Sequence, residues 1–215
     1  KYEQKFNRRK TTQLRVSKKE IKEAKITKAQ FDALRLSALR LSKAQRTLKK
    51  RLFDSVSKLA GVSFTPISSV GCYVPGGQAR YPSSAIMSTI TAAEAGVNRI
   101  VVVSPPGPDG KIDPMTVYVA EKCGAELYKV GGAQAIGALA FGTKSIPKVD
   151  KIVGPGGKFV SIAKSLVSDE TAIDMIAGPT ELGIIVDTTA DPELVVIDLI
   201  SQAEHSNDTM CFVIT

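Results

Sequence analysis

Gln202 and His205 are the residues whose types and spacing most readily suggest chemistry. If the stretch Ser201-Gln202-Ala203-Glu204-His205 is helical, the two side chains share a face, close enough to hold one ligand or one metal ion. Imidazole is a common zinc ligand. His205 is also the only histidine in the chain, which removes any acid-base relay through two imidazoles. A lone histidine is equally an ordinary satisfied polar residue, and the spacing by itself leaves both readings open. Nucleophilic catalysis finds little support, because there is no Gly-x-Ser-x-Gly elbow and no cysteine beside a base in a recognisable motif. Glu181 and Asp187 are acids of a kind too common to need a special role.

The elements that must position this stretch lie upstream of it. After Gly61, β-rich runs at 69–73, 99–103, 126–130 and 151–153 alternate with helical runs at 82–95, 114–123, 133–141 and 158–167. Four β-α units in succession predict an α/β fold, a parallel sheet with helices on its faces. Right-handed crossovers make that sheet doubly wound and Rossmann-like. A further strand at 182–187, a helix at 192–205 and an apolar run at 210–215 read as one more βαβ unit, the beginning of a second α/β domain. The break Ala177-Gly178-Pro179 puts the joint within residues 174–179. Before Gly61, apolar positions from Phe31 and Leu34 to Val56 and Leu59 recur at three, four or seven residues. They predict two helices within residues 18–60, capped by Ser17 and Thr27 and stopped at Gly61. The expected division is a basic helical segment at 1–60 packing with the second domain, a Rossmann-like domain at 61–178, and the incomplete second domain at 179–215.

Each strand of the expected sheet runs into a turn rich in glycine and proline: Val74-Pro75-Gly76-Gly77, Pro105-Pro106-Gly107, Gly131-Gly132 and Gly154-Pro155-Gly156-Gly157. In a parallel sheet these turns share the carboxyl edge, where helix N-termini direct N–H groups at ligands. Neither Gly-x-Gly-x-x-Gly nor the phosphate-loop pattern is present, so the turns point to an anionic or polar ligand without naming it. Any one turn is also an ordinary strand-to-helix connection; four on one edge favour a crevice.

The net charge of +8 is unevenly placed. Residues 1–60 hold 19 Lys and Arg against 5 Asp and Glu, and the rest of the chain is acidic overall. A basic segment can meet nucleic acid, but a solvated helical face is the simpler reading. No apolar run approaches the ~18 residues of a membrane span, and no apolar segment follows the basic start as in a secretory signal. An intracellular, cytoplasmic protein is therefore expected, or an organellar one after loss of a targeting segment. Cys72, Cys123 and Cys211 form no Cys-x-x-Cys pair, which argues against a disulfide framework or a cysteine zinc site.

Five ordered motifs go further. They are Val70-Gly71-Cys72-Tyr73-Val74-Pro75-Gly76-Gly77, Val130-Gly131-Gly132-Ala133-Gln134-Ala135-Ile136, Pro147-Lys148-Val149-Asp150-Lys151-Ile152-Val153-Gly154-Pro155-Gly156, Asp174-Met175-Ile176-Ala177-Gly178-Pro179-Thr180-Glu181 and Ser201-Gln202-Ala203-Glu204-His205. Together they resemble the histidinol dehydrogenase family. The resemblance implies a zinc-dependent enzyme of histidine biosynthesis that oxidises L-histidinol through the aldehyde to L-histidine with reduction of two NAD. It assigns Gln202 and His205 as metal ligands that also meet substrate, Thr180 as a substrate contact where the family usually has serine, and Tyr73 and Gln134 as NAD contacts. At Gly157 the family commonly has asparagine, so a side-chain hydrogen bond to NAD is missing here. It also implies a homodimer, and an acid-base pair and further metal ligands beyond Thr215. The expectation is thus the N-terminal half of such an enzyme, inactive at this length. The rival is a truncated, non-catalytic relative that binds nucleic acid or protein through its basic arm.

Overall fold

The structure, a computed structural model, describes residues 13–76, 80–176, 181–204 and 209–215. It divides into two compact units, Lys1–Ile176 and Ala177–Thr215.

Two helices open the first unit. Helix α1, Lys18–Glu23, starts at Ser17, whose hydroxyl accepts from Glu20 N while the Glu20 carboxylate accepts from Ser17 N. Helix α2, Lys28–Leu52, starts at Thr27 with the same reciprocal pair to Gln30. Each capping box satisfies two donors that a helix start would otherwise leave open, which is why both caps could be read from sequence. Beyond Leu52 the chain continues through a π-helical turn, Phe53–Ser57, and one last turn, Lys58–Ala60.

The strands are β1 (Ser69–Tyr73), β2 (Arg99–Ser104), β3 (Glu126–Lys129), β4 (Lys151–Val153) and β5 (Ala172–Ile173). Between them run α3 (Pro82–Ala95), α4 (Pro114–Lys122), α5 (Gly132–Phe141) and α6 (Lys158–Leu166). All five strands are parallel, in the order β3-β2-β1-β4-β5. The chain walks outward from β1 to β3, then returns to place β4 on the other side of β1. That reversal puts the later helices on the opposite face, and alternate residues of each strand show it. Val70, Cys72, Ile100 and Val102 pack with α3 and α4 residues such as Ile86 and Val117, whereas Tyr73, Val101 and Val103 pack with Ile136, Leu139 and Val160. The two-residue strand β5 was not foreseen; it is too short to show a period.

Helix α2 lies on α3. Ser42 Oγ and Arg46 Nε donate to the Glu94 carboxylate at 2.5 and 2.8 Å, and Lys49 Nζ donates to Glu94 O at 3.0 Å. A cation at the carbonyl end of α3 also opposes its helix dipole. Of the apolar stripe on α2, Leu34 is buried, while Leu48 and Leu52 stay about half exposed. Residues 14–16, which lie ahead of the first helix, run along the free edge of β3. Val16 N donates to Leu127 O at 2.8 Å and Lys129 N to Leu14 O at 2.7 Å, an antiparallel pairing.

The second unit is one βαβ: β6 (Glu181–Ile185), α7 (Pro192–Ala203) and β7 (Met210–Ile214), with β6 and β7 parallel in their own two-stranded sheet. Among the described residues no helix is long and apolar enough to cross a membrane.

Candidate functional site

The reversal of strand order falls between β1 and β4, so the carboxyl ends of those two strands, at Tyr73 and Val153, border the crevice where open α/β sheets take their ligands. Tyr73 is its hub. The ring is buried, and its hydroxyl accepts a hydrogen bond from Gly132 N, the first N–H of α5, at 3.0 Å. Gln134 folds back over the same glycine, since a β-carbon on Gly132 would lie 2.9 Å from Gln134 Oε1. The strand-end tyrosine and the helix-start glutamine, 61 positions apart in sequence, thus meet on one peptide.

The fourth turn, Gly154–Gly157, closes on the same residue from the β4 side. Gly154 has φ +112°, and a β-carbon there would sit 2.1 Å from Tyr73 O, so the turn can approach β1 only as glycine. Gly157 is the N-cap of α6 and has no side chain to cap it; around its missing β-carbon there is nothing within 4 Å. The Gly157 position is therefore open on the side where a side chain would project. Helix α4 differs, because Asp113 accepts from Met115 N at 2.9 Å and caps it internally. The second and third turns are packed tightly together, a β-carbon on Gly131 falling 2.5 Å from Pro105 Cβ.

Sequence reasoning missed the groups that hold the β4 turn. Lys164 of α6 is only 3% exposed, and its ammonium reaches the Asp174 carboxylate and, at 3.1 Å, Gly154 O. Asp174 also accepts from Gly154 N at 2.8 Å and Met175 N at 2.7 Å. Burial alone would raise the Asp174 carboxyl; the hydrogen bonds from Lys164, Gly154 and Met175 outweigh it and hold the group below the usual carboxylate range. One signal was available: Val160, Lys164 and Val167 fall at i, i+4 and i+7, which puts a lysine in an apolar stripe. A mostly apolar groove of about 620 Å3, running from Leu48 and Leu52 past Pro66, touches this region only at its Gly154, Pro155 and Asp174 end.

In the second unit Gln202 lies in the last turn of α7, which ends at Ala203, short of the residue 205 expected. His205 and Thr180 lie outside the described residues. The Gln202 Nε2 is buried and makes no hydrogen bond among the described residues. An unpaired amide N–H fits a hydrogen bond to a ligand, while the amide oxygen is the atom a zinc ion would take. Among the described residues no group of three or more His, Cys, Asp and Glu could hold a metal ion.

The sheet order defines a Rossmann-like α/β protein, with the crevice at the switch point as its candidate ligand site. The family model for histidinol dehydrogenase matches residues 1–215, and the chain belongs to that family. The basic segment lies inside the match, so it is part of the family's pattern, which disfavours a separate binding arm. The chain is similar to proteins named histidinol dehydrogenase from Synechococcus sp., 48% identical over 164 residues (76% of this chain, 38% of the relative), and from Methanocaldococcus jannaschii, 53% identical over 150 residues (69% and 35%). Its structure is similar to the crystal structure of histidinol dehydrogenase from Elizabethkingia anophelis, with a TM-score of 0.86 and 37% identity over 99% of this chain and 51% of that one. The chain therefore spans well under two thirds of the length of the relatives it matches.

Proposed function

We propose that this chain supplies the NAD-binding sheet and the first metal ligands of an enzyme that oxidises L-histidinol through the aldehyde to L-histidine, with reduction of two NAD. The observation that carries the reading is the convergence of Tyr73 and Gln134 on Gly132, beside the Gly154–Gly157 turn at the β1/β4 switch point. In this reading Tyr73, Gln134 and the uncapped turn at Gly157 bind and orient NAD. Gln202 and His205 hold zinc, and with Thr180 they orient the substrate. Zinc, when bound, serves as a template that fixes the imidazole and amine of L-histidinol. The backbone N–H groups at the start of α6 suit an anionic group of the cofactor. The buried Gln202 amide is consistent with a donor that waits for a partner. The acid-base pair and remaining metal ligands belong, in this reading, to the part of the longer relatives that this sequence does not span, and the working form is a homodimer.

The test uses a chain of the relatives' length, supplied with zinc, NAD and L-histidinol. Two NADH should form per histidinol consumed, whereas the 215-residue chain should give no steady turnover. Gln202→Leu in the longer chain should lower bound zinc by about ten- to a hundredfold in affinity while leaving NAD binding in place. A protein that forms no NADH from L-histidinol, or that retains zinc unchanged after Gln202→Leu, contradicts the assignment.

A further inference from the structure

We infer that Lys164 and Asp174 are positioning residues for the nucleotide, a clamp that sets the Gly154–Gly157 turn at the distance from β1 that NAD requires. The inference rests on the reading of that turn as an NAD contact.

The turn hangs on few contacts of its own. Gly154 has left the strand, and Gly157 has no side chain with which to cap α6. What holds the turn comes from two elements behind it. From α6, Lys164 donates to the carbonyl of Gly154; from the end of β5, Asp174 accepts from the N–H of the same residue. Both polar groups of one peptide residue are therefore taken by one ion pair, whose members also bind each other. Ser161 Oγ reaches Gly156 O at 3.4 Å, a third, weaker hold from α6. Tyr73 O forms the opposite wall, 2.1 Å from where a β-carbon on Gly154 would stand.

Such an arrangement is costly as mere packing. A lysine with 3% of its side chain exposed gives up its hydration, and a hydrophobic pair of similar volume would often serve stability as well or better. The pair gives something a hydrophobic contact cannot, a fixed direction for both the carbonyl and the amide of Gly154. That direction propagates over three residues to Gly157 and the first N–H groups of α6. Displacement of a ligand-positioning turn by about an ångström is enough to cost about a hundredfold.

The experiment compares Lys164→Met and the double variant Lys164→Met/Asp174→Leu with the parent, all in a chain of the relatives' length. NAD affinity is measured by direct titration, together with KM for NAD and for L-histidinol. Lys164→Met should raise the Kd and KM for NAD about ten- to a hundredfold and move the KM for L-histidinol by less than about twofold. It should also lower the melting temperature, because it leaves the partly buried Asp174 carboxylate without its cation. The double variant removes both charges and should regain most of that melting temperature, yet still bind NAD weakly. NAD affinity that returns with stability in the double variant would show that the pair is only structural, and unchanged NAD affinity in either folded variant overturns the inference as well. If Lys164→Met does not fold, the double variant alone decides between these outcomes. A parent protein that fails to bind NAD removes the reading of the turn itself, and the inference with it; a parent that binds while the variants bind equally removes only the inference.

Discussion

Gly154→Ala tests the geometry of the crevice most directly. At φ +112° alanine is strained by about 1–3 kcal/mol wherever the surrounding space lies. Here the space is also taken, because the new methyl would stand 2.1 Å from Tyr73 O and about as close as 3.0 Å to Tyr73 C. These are main-chain atoms and cannot swing aside as a flexible side chain would. Relief requires β1 and the turn to separate by roughly an ångström, which loosens one or two hydrogen bonds at about 1 kcal/mol each. The sum is about 2–5 kcal/mol. A domain of this size loses about 2–4 °C per kcal/mol, so the expected fall is about 4–20 °C. The control is Gly157→Ala, three residues on, where φ is −67° and nothing lies within 4 Å of the added carbon. It should stay within about 1 kcal/mol of the parent, the loss of a glycine N-cap offsetting the gain in chain stiffness. Thermal and urea unfolding of the two variants side by side provide the assay. Equal stability of Gly154→Ala and Gly157→Ala would refute the close approach of the β4 turn to β1.

Two other outcomes are expected. Gly157→Asn places a good N-cap where there is room for it, and should stabilise α6 by a few tenths of a kcal/mol; if the side chain also reaches the nucleotide, NAD should bind about two- to tenfold more tightly by titration, and an unchanged Kd would separate Gly157 from the cofactor. Acid should unfold the protein through its held carboxylates: for Glu20, as for Asp174, burial raises the group, but the hydrogen bonds, from Lys129 first, prevail and hold it low. A folded value below the unfolded one, about 4, means stability that is present above that pH and lost as pH falls through the depressed values. The urea midpoint should therefore drop between pH 5 and pH 3, less so in Asp174→Asn, and a flat midpoint across that range would contradict it.

Much of the fold was legible because its signals are local. Ser17 with Glu20 and Thr27 with Gln30 are capping boxes that a reader can see in four residues, and β1, α3 and β4 lie where period and breakers put them. What was not legible depends on distant partners. Residues 14–16 have no period of their own and become ordered by lying against β3, and β5 is held by pairing with β4. At the site, Gln134 could be named from its motif, but that it meets Tyr73 over Gly132 is a consequence of the sheet order. Lys164 was hidden by habit: a lysine in an amphipathic helix is assumed to be solvated unless its position in the stripe is checked.

The pairing of residues 14–16 with β3 also decides how this sheet meets other chains. A parallel sheet exposes a row of unpaired amides and carbonyls at each side, and any extended segment can add to it. On the β3 side the chain occupies that row itself, with bonds from Val16 N and to Leu14 O. On the other side β5 offers only Ala172 and Ile173, too little length for a stranger to grip. Among the described residues, the β3 edge of the sheet is therefore partly occupied by the chain itself, and the β5 edge presents only a short stretch to an added strand.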